Sequence, residues 1–175
     1  MSSSQVTEHI IWQSAQCYLG QVLVACSDTG VCALLTGQTL PPLMERLRSR
    51  FPRAELHEAE SVCPSWLGRV KAQLTDGRSA EPLALDLRGT EFQQQVWRAL
   101  QSIPSGEVIS YAELARRAGR PKAVRAAASA CGANPVAVLV PCHRVLRSSG
   151  DLGGYNGGVA TKKALLAHEQ ALSDR

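Results

Sequence analysis

Pro135-Val136-Ala137-Val138-Leu139-Val140-Pro141-Cys142-His143-Arg144-Val145 sets a thiol beside an imidazole at the end of an apolar run, and a glycine-rich segment, 150–158, follows it. The run reads as buried, so the pair is delivered to the edge of a core. Only a few per cent of an unperturbed thiol is ionised near neutral pH, and an adjacent base raises that fraction. A Cys-His pair in this setting therefore reads as an activated nucleophile. The competing reading makes Cys142 a small core residue and His143 an exposed neighbour. The sequence on either side favours the nucleophile.

At 175 residues the chain is long enough for one domain, or for a small and a medium one, around a real core. Its 45% hydrophobic and 19% charged residues describe an ordinary globular protein. The net charge of +4 is unevenly spread. Residues 1–85 hold 7 Lys+Arg against 8 Asp+Glu, whereas residues 86–175 hold 12 against 7. The basic half carries the Cys-His pair, which fits an anionic partner near it. The cysteines are Cys17, Cys26, Cys32, Cys63, Cys131 and Cys142, with no CxxC. Met1-Ser2-Ser3-Ser4-Gln5 lacks the basic and apolar regions of a signal peptide, and no apolar stretch approaches a membrane span. The expected setting is reducing and cytoplasmic, or nuclear in a eukaryote, with no membrane partner. Cys17, Cys26, Cys32 and His57 match no compact zinc pattern, so neither a metal nor a cofactor is expected.

Leu19 to Leu35 reads as two strands joined by a turn at Ser27-Asp28-Thr29-Gly30. Pro41-Pro42 opens a helix from Leu43 to Phe51, and Leu83 to Leu87 alternates like a strand. A small α/β unit with an antiparallel sheet is expected. Gly89-Thr90 begins a helical part. Thr90 caps a helix from Glu91 to Ser102, with Phe92, Val96, Ala99 and Leu100 inward. Ser110 and Glu113 form a capping box for Tyr111 to Ala118; Gly119 stops that helix, and Pro121 starts another that runs to about Ala133. This pair matches a helix-turn-helix, with a plain helical hairpin as the alternative. The second helix is almost all small residues, among them Ala123, Ala126, Ala127 and Ala128, around one long cation, Arg125. Thr161 to about Ala171 reads as a final amphipathic helix with Leu165, Leu166 and Ala167 inward and Glu169 near its end.

Pro141-Cys142-His143-Arg144-Val145, Asn134, Tyr111, Arg125 and Gly153-Gly154-Tyr155 together resemble the motifs of the O6-alkylguanine-DNA alkyltransferases. Phe92-Gln93-Gln94-Gln95-Val96-Trp97 and Pro121-Lys122-Ala123-Val124-Arg125 are most similar to the alkyltransferase half of the bacterial adaptive-response regulators. The resemblance covers about residues 88–171. It implies an α/β, ribonuclease-H-like N-terminal domain over 1–87. A mainly α, helix-turn-helix domain for DNA binding and alkyl acceptance would follow over 88–175.

By the same resemblance Cys142 accepts an alkyl group from O6 of guanine, His143 acts as base through a bridging water, and Glu169 orients it. Asn134 is the hinge tying the recognition helix to the site. Arg125 replaces the flipped base in the minor groove, while Lys122, Ala123, Ala126 and Ala127 lie along the DNA. Tyr111 crowds the target phosphate and protonates the departing guanine. Pro141, Val145, Tyr155, Asn156 and Gly157 line the pocket, and Asn156 departs from the small residue the family often has there. Cys131 is expected to be a packing thiol. The implied partner is double-stranded DNA carrying O6-alkylguanine, or O4-alkylthymine. The chain is expected to be a monomer, in a family where cooperative assembly along DNA occurs. The product thioether makes each molecule act once. Two other readings are a helix-turn-helix regulator without chemistry and a damage-binding protein without alkyl transfer; the retained Cys-His-Glu set speaks against both.

Overall fold

A computed structural model of the chain describes residues 6–59, 66–76 and 82–173. Four strands, β1 (Glu8–Cys17), β2 (Gly20–Cys26), β3 (Val31–Gly37) and β4 (Ala54–Glu58), form one sheet in the order β3-β2-β1-β4. β1–β2 and β2–β3 are antiparallel, but β1 and β4 run parallel, so the sheet is mixed rather than antiparallel. The strand-turn-strand expected over 19–35 is β2 and β3. β1 and β4 escape sequence reading: their alternation is short and diluted by polar residues, although Ile10 and Trp12 are buried at the period of a strand.

β2 and β3 are buried on both faces. Leu23, Ala25, Ala33 and Leu35 pack against α1 (Leu40–Arg50) through Leu43, Met44 and Leu47. This helix begins three residues earlier than expected, because prolines are tolerated in a first turn whose N–H groups have no helical acceptor. Val22, Val24 and Leu34 face the other way, toward α2 (Trp66–Asp76), which buries Trp66, Val70 and Leu74, and toward the C-terminal helices. Thus one core is shared between the two halves of the chain. Leu83 to Leu87 is extended, as expected, but it is not a full strand. It meets β3 at a single bridge, Val31–Leu85, with Val31 N–H donating to Ala84 O at 2.9 Å. Further along, Leu34 N–H donates to Pro135 O at 3.0 Å. Two short pieces of the later chain therefore cover the outer edge of β3, which would otherwise present unpaired groups.

α3 (Glu91–Gln101) starts with a complete capping box: Gln93 N–H donates to Thr90 Oγ1, and the Gln93 side chain accepts from Thr90 N–H. β5 (Ile109–Ser110) leads into α4 (Tyr111–Arg117). The capping box expected there is half formed. Ser110 accepts from Glu113 N–H, but the Glu113 carboxylate turns to Arg116 and Arg117 instead. Gly119 ends the turn after α4 at φ +82°, a conformation that favours glycine. α5 (Val124–Gly132) begins at Val124, so Pro121 and Lys122 lie in the connecting turn rather than in the helix. β6 (Val145–Leu146) pairs parallel with β5, and α6 (Val159–Ser173) closes the chain. Thr161, Lys162, Leu165 and Glu169 form its inward face; Ala167, expected inward, is exposed because it lies off that four-residue row.

Trp97 is the largest fully buried side chain, and its indole N–H donates to Ala130 O at 2.8 Å. Ala130 lies in the last turn of α5, where carbonyls lack helical donors. One side chain thus fills the core and fixes the end of the helix next to the site. Trp97→Phe should cost about 2 kcal/mol in denaturant unfolding, from the lost hydrogen bond and the space it opens. A loss under about 0.5 kcal/mol would show that α5 is held by packing elsewhere.

Candidate active site

The apolar run after α5 is buried, but it is a tight loop rather than a strand. Val138 sits at φ +73°, rare for a β-branched residue, and Leu139 N–H donates to Ala137 O across it at 2.9 Å. This is a γ-turn of the strained kind. The buried Asn134 holds it shut: its Oδ1 accepts from Val136 N–H at 3.0 Å, and its Nδ2 donates to Val140 O at 2.6 Å. One amide therefore satisfies both ends of the loop, which a residue without both functions at that reach would leave unpaired.

Cys142–Arg144 then form one 3₁₀ turn. With three residues per turn, neighbouring side chains point about 120° apart. Cys142 lines a cavity of about 720 Å³, whereas His143 and Arg144 reach Glu169 on α6. His143 is fully buried, with Nε2 2.7 Å from Glu169 Oε1. Arg144 donates from Nε and Nη2 to the same carboxylate at 2.7–3.1 Å and from Nη1 to Ile103 O at 2.6 Å. Burial works against the Glu169 charge, yet the hydrogen bonds from His143 and Arg144 bring its pKa down to about 2. Burial pulls His143 down more strongly than Glu169 raises it, which leaves a neutral imidazole at pH 7. A carboxylate only accepts, so the network assigns the ring proton to Nε2. Nδ1 keeps its lone pair; it is buried and has no hydrogen-bond partner among the described residues.

The Cys142 thiol is held below the ordinary range. Hydrogen bonding from Cys131, then from Asn134, and the nearby charge of Lys162 outweigh burial. Cys131 itself is pushed up by the same contact and by burial, as befits a packing thiol. Lys162 is fully buried, donates from Nζ to Val145 O at 2.7 Å and to Leu152 O, and lies 5.9 Å from the centre of the Tyr111 ring. Tyr111 lines the cavity, and burial raises its pKa to about 12, so it stays protonated. Tyr155 is likewise raised, first by burial and then by the thiol sulfurs, and its hydroxyl is buried with no partner among the described residues. Two phenols that hold their protons thus face the cavity with the thiol. Arg46, Lys122, Arg125 and Arg147 give its wall four cations.

Residues 91–171 match the family described as 6-O-methylguanine DNA methyltransferase, DNA binding domain. The methylated-DNA–protein-cysteine methyltransferase of Salmonella typhimurium is 40% identical, over 86% of this chain and 90% of its own. The chain belongs to the O6-methylguanine-DNA methyltransferase family. The bifunctional transcriptional activator/DNA repair enzyme Ada of Escherichia coli is 47% identical over 92% of this chain but only 46% of its own length. The chain thus spans about half of the regulatory relatives it matches. The O6-methylguanine methyltransferase of Mycobacterium tuberculosis superposes with a TM-score of 0.79 at 34% identity, over 93% of each chain, and the OGT of that organism in complex with DNA with 0.77 over 94% of each.

In this member of the methyltransferase family, Cys142, Asn134, Tyr111, Arg125, Lys122, Tyr155, Asn156 and Gly157 all border one cavity, with His143 and Glu169 directly behind the thiol. Two expectations need correction. Ala127 is fully buried against the core, so Lys122, Ala123, Arg125 and Ala126 are the accessible residues of that set. Val145 and Pro141 are buried behind the cavity wall; Val145 serves through its carbonyl, which holds Lys162, and Pro141 precedes the 3₁₀ turn. The Asn156 side chain is engaged away from the thiol, donating to Gly132 O at the end of α5. Gly157 is confined: a Cβ there would stand 2.8 Å from Thr36 Oγ1 and 3.0 Å from the Tyr155 ring.

Sequence reading gave no role to Arg144 or Lys162, because nothing local marks a charged side chain as buried. It also missed Thr36 and Arg46, which bring the N-terminal half into the cavity wall from β3 and α1. Arg144→Met should cost about 3–5 kcal/mol, since it strips a buried carboxylate of its main partner. With the folded pKa of Glu169 depressed, its stabilisation is present above about pH 4.5 and lost as pH falls toward 2. In the variant the folded pKa rises toward 4.5, so the loss should be smaller and complete at higher pH. Unfolding measured against pH checks both; a cost under about 1 kcal/mol with an unchanged acid limb contradicts the clamp.

Proposed function

We propose that the protein repairs DNA by direct reversal, moving a methyl or larger alkyl group from O6 of guanine to Cys142. The observation that carries this reading is a thiol on the cavity wall next to a buried imidazole that is held by Glu169 through Nε2 and whose Nδ1 has no partner among the described residues. The thiol proton passes to Nδ1 of His143 through a bridging water, and the sulfur attacks the alkyl carbon in line with the C–O bond. An S–C bond forms, the C–O6 bond breaks with its electron pair going to the guanine, and Tyr111 supplies the proton that the departing base takes up. Glu169 stabilises the imidazolium as it forms. The thioether has no route back to the thiol, so each molecule acts once.

A base stacked in a duplex cannot reach a thiol set in such a cavity, so the target is flipped out. α4 and α5 act as a helix-turn-helix laid in the minor groove, with Arg125 filling the vacated stack. The small side chains of Ala123 and Ala126 permit close approach, and the cations on the cavity wall favour the phosphates. Residues 1–87 serve as a ribonuclease-H-like scaffold and residues 88–175 as the DNA-binding and acceptor part, one chain per lesion.

Intact-protein mass after incubation with duplex DNA containing one O6-methylguanine tests the reading. Wild type should gain one methylene, mapped to Cys142 and saturating at one per molecule, and Cys142→Ser should gain none. Tight binding to the lesion without any gain in mass would replace repair with damage sensing.

A further inference from the structure

Away from the cavity, on the exposed face of the β1–β4 pair, His9, Glu55 and His57 converge. We propose that these three side chains form a binding site for a divalent transition-metal ion of the zinc class, which clips the outer strand β4 to β1. His9 Nδ1 lies 3.0 Å from His57 Nε2 and 3.5 Å from Glu55 Oε2, and His57 Nε2 lies 3.6 Å from the same oxygen. A triangle with these sides has a point about 2.0 Å from all three corners, which is the usual bond length from zinc to imidazole nitrogen and carboxylate oxygen.

The strands build this triangle. In the parallel register His9 is paired with Glu55 and Ile11 with His57, so Glu55 and His57, two residues apart, share a face with His9 alongside. Ile10 and Trp12 are buried on the opposite face and fix which way β1 points its histidine. Two imidazoles and one carboxylate suit zinc, cobalt or nickel; magnesium and calcium prefer all-oxygen sets. All three side chains are exposed, so water completes a tetrahedral set and the ion has open access.

The alternative is that the cluster is a hydrogen-bonded surface group, with the imidazoles 5.2 Å apart as tilted neighbours. The set also differs from a cysteine-based site: the described cysteines, including Cys142, lie outside it. β4 is joined to the sheet along one side only, so a bond from Glu55 and His57 back to His9 adds a tie where the sheet has fewest. An ion that binds the folded chain alone raises its unfolding midpoint.

Titration of the full-length protein with Co²⁺ reads the ligands directly. The expected spectrum saturates at one equivalent with visible d–d bands of a nitrogen–oxygen site and no sulfur-to-cobalt charge-transfer band. Zn²⁺ should displace the Co²⁺ and raise the thermal midpoint of wild type. His57→Ala should abolish both effects, and Glu55→Gln should weaken binding about tenfold or more; Cys17→Ser and Cys142→Ser should leave them intact. Because Glu55 and His57 are exposed, His57→Ala and Glu55→Gln should fold, which their unchanged midpoint without metal would verify. No uptake by wild type, uptake retained by His57→Ala, or a charge-transfer band abolished by the cysteine substitutions would each overturn the proposal.

Discussion

A buried carboxylate on the last helix is the constraint from which the site follows. Glu169 cannot stay charged away from water unless donors surround it, and two consecutive residues of one turn are among them. Meeting that demand pins the turn Cys142–Arg144 against α6 and, through the remaining arm of Arg144, against the end of α3 at Ile103. It also sets the proton on Nε2 of His143, which leaves the lone pair on the opposite nitrogen. Structural and chemical demands therefore converge on the same oxygen atoms. In Cys142–His143–Arg144 the first residue faces the cavity while the next two hold the frame.

The route into that turn is held under tension. Val138 takes a conformation that costs a branched residue about 1–3 kcal/mol, and the Asn134 amide, buried Val136 and Val140 and the edge of β3 keep it there. The α/β half is thus more than a neighbour of the site. It fixes the loop through Leu34, supplies Thr36 against Gly157, and contributes Arg46 to the cavity wall. On the other side Trp97 and Asn156 occupy the carbonyls at the end of α5, so the helix carrying Arg125 is tied at its end to α3 and to the segment beside the cavity. Such a base suits a reaction that needs sulfur, carbon and oxygen in line.

What the sequence reveals and conceals here has physical reasons. Thr90 and Ser110 announce their helices because capping chemistry is local, and Ser27 to Gly30 announces a turn for the same reason. The Cys-His pair is legible because the two residues adjoin. The parallel pairing of β1 with β4 depends on chain segments about 45 residues apart, which no short pattern encodes. In α5 the run of alanines gives no contrast between faces, so nothing separates the buried Ala127 from the exposed Ala126. Arg144 and Lys162 read as surface charges until the groups that receive them are known, and those groups are the carbonyls of Ile103, Val145 and Leu152 and a carboxylate from the far end of the chain.

The protonation state of His143 tests the account most directly. Nitrogen-15 NMR of the labelled protein, with His143 assigned by its loss in His143→Gln, reads both ring nitrogens between about pH 7 and 8. The account predicts a neutral imidazole throughout, protonated at Nε2 and bare at Nδ1. A ring carrying its proton on Nδ1, or an imidazolium at pH 7, would contradict it.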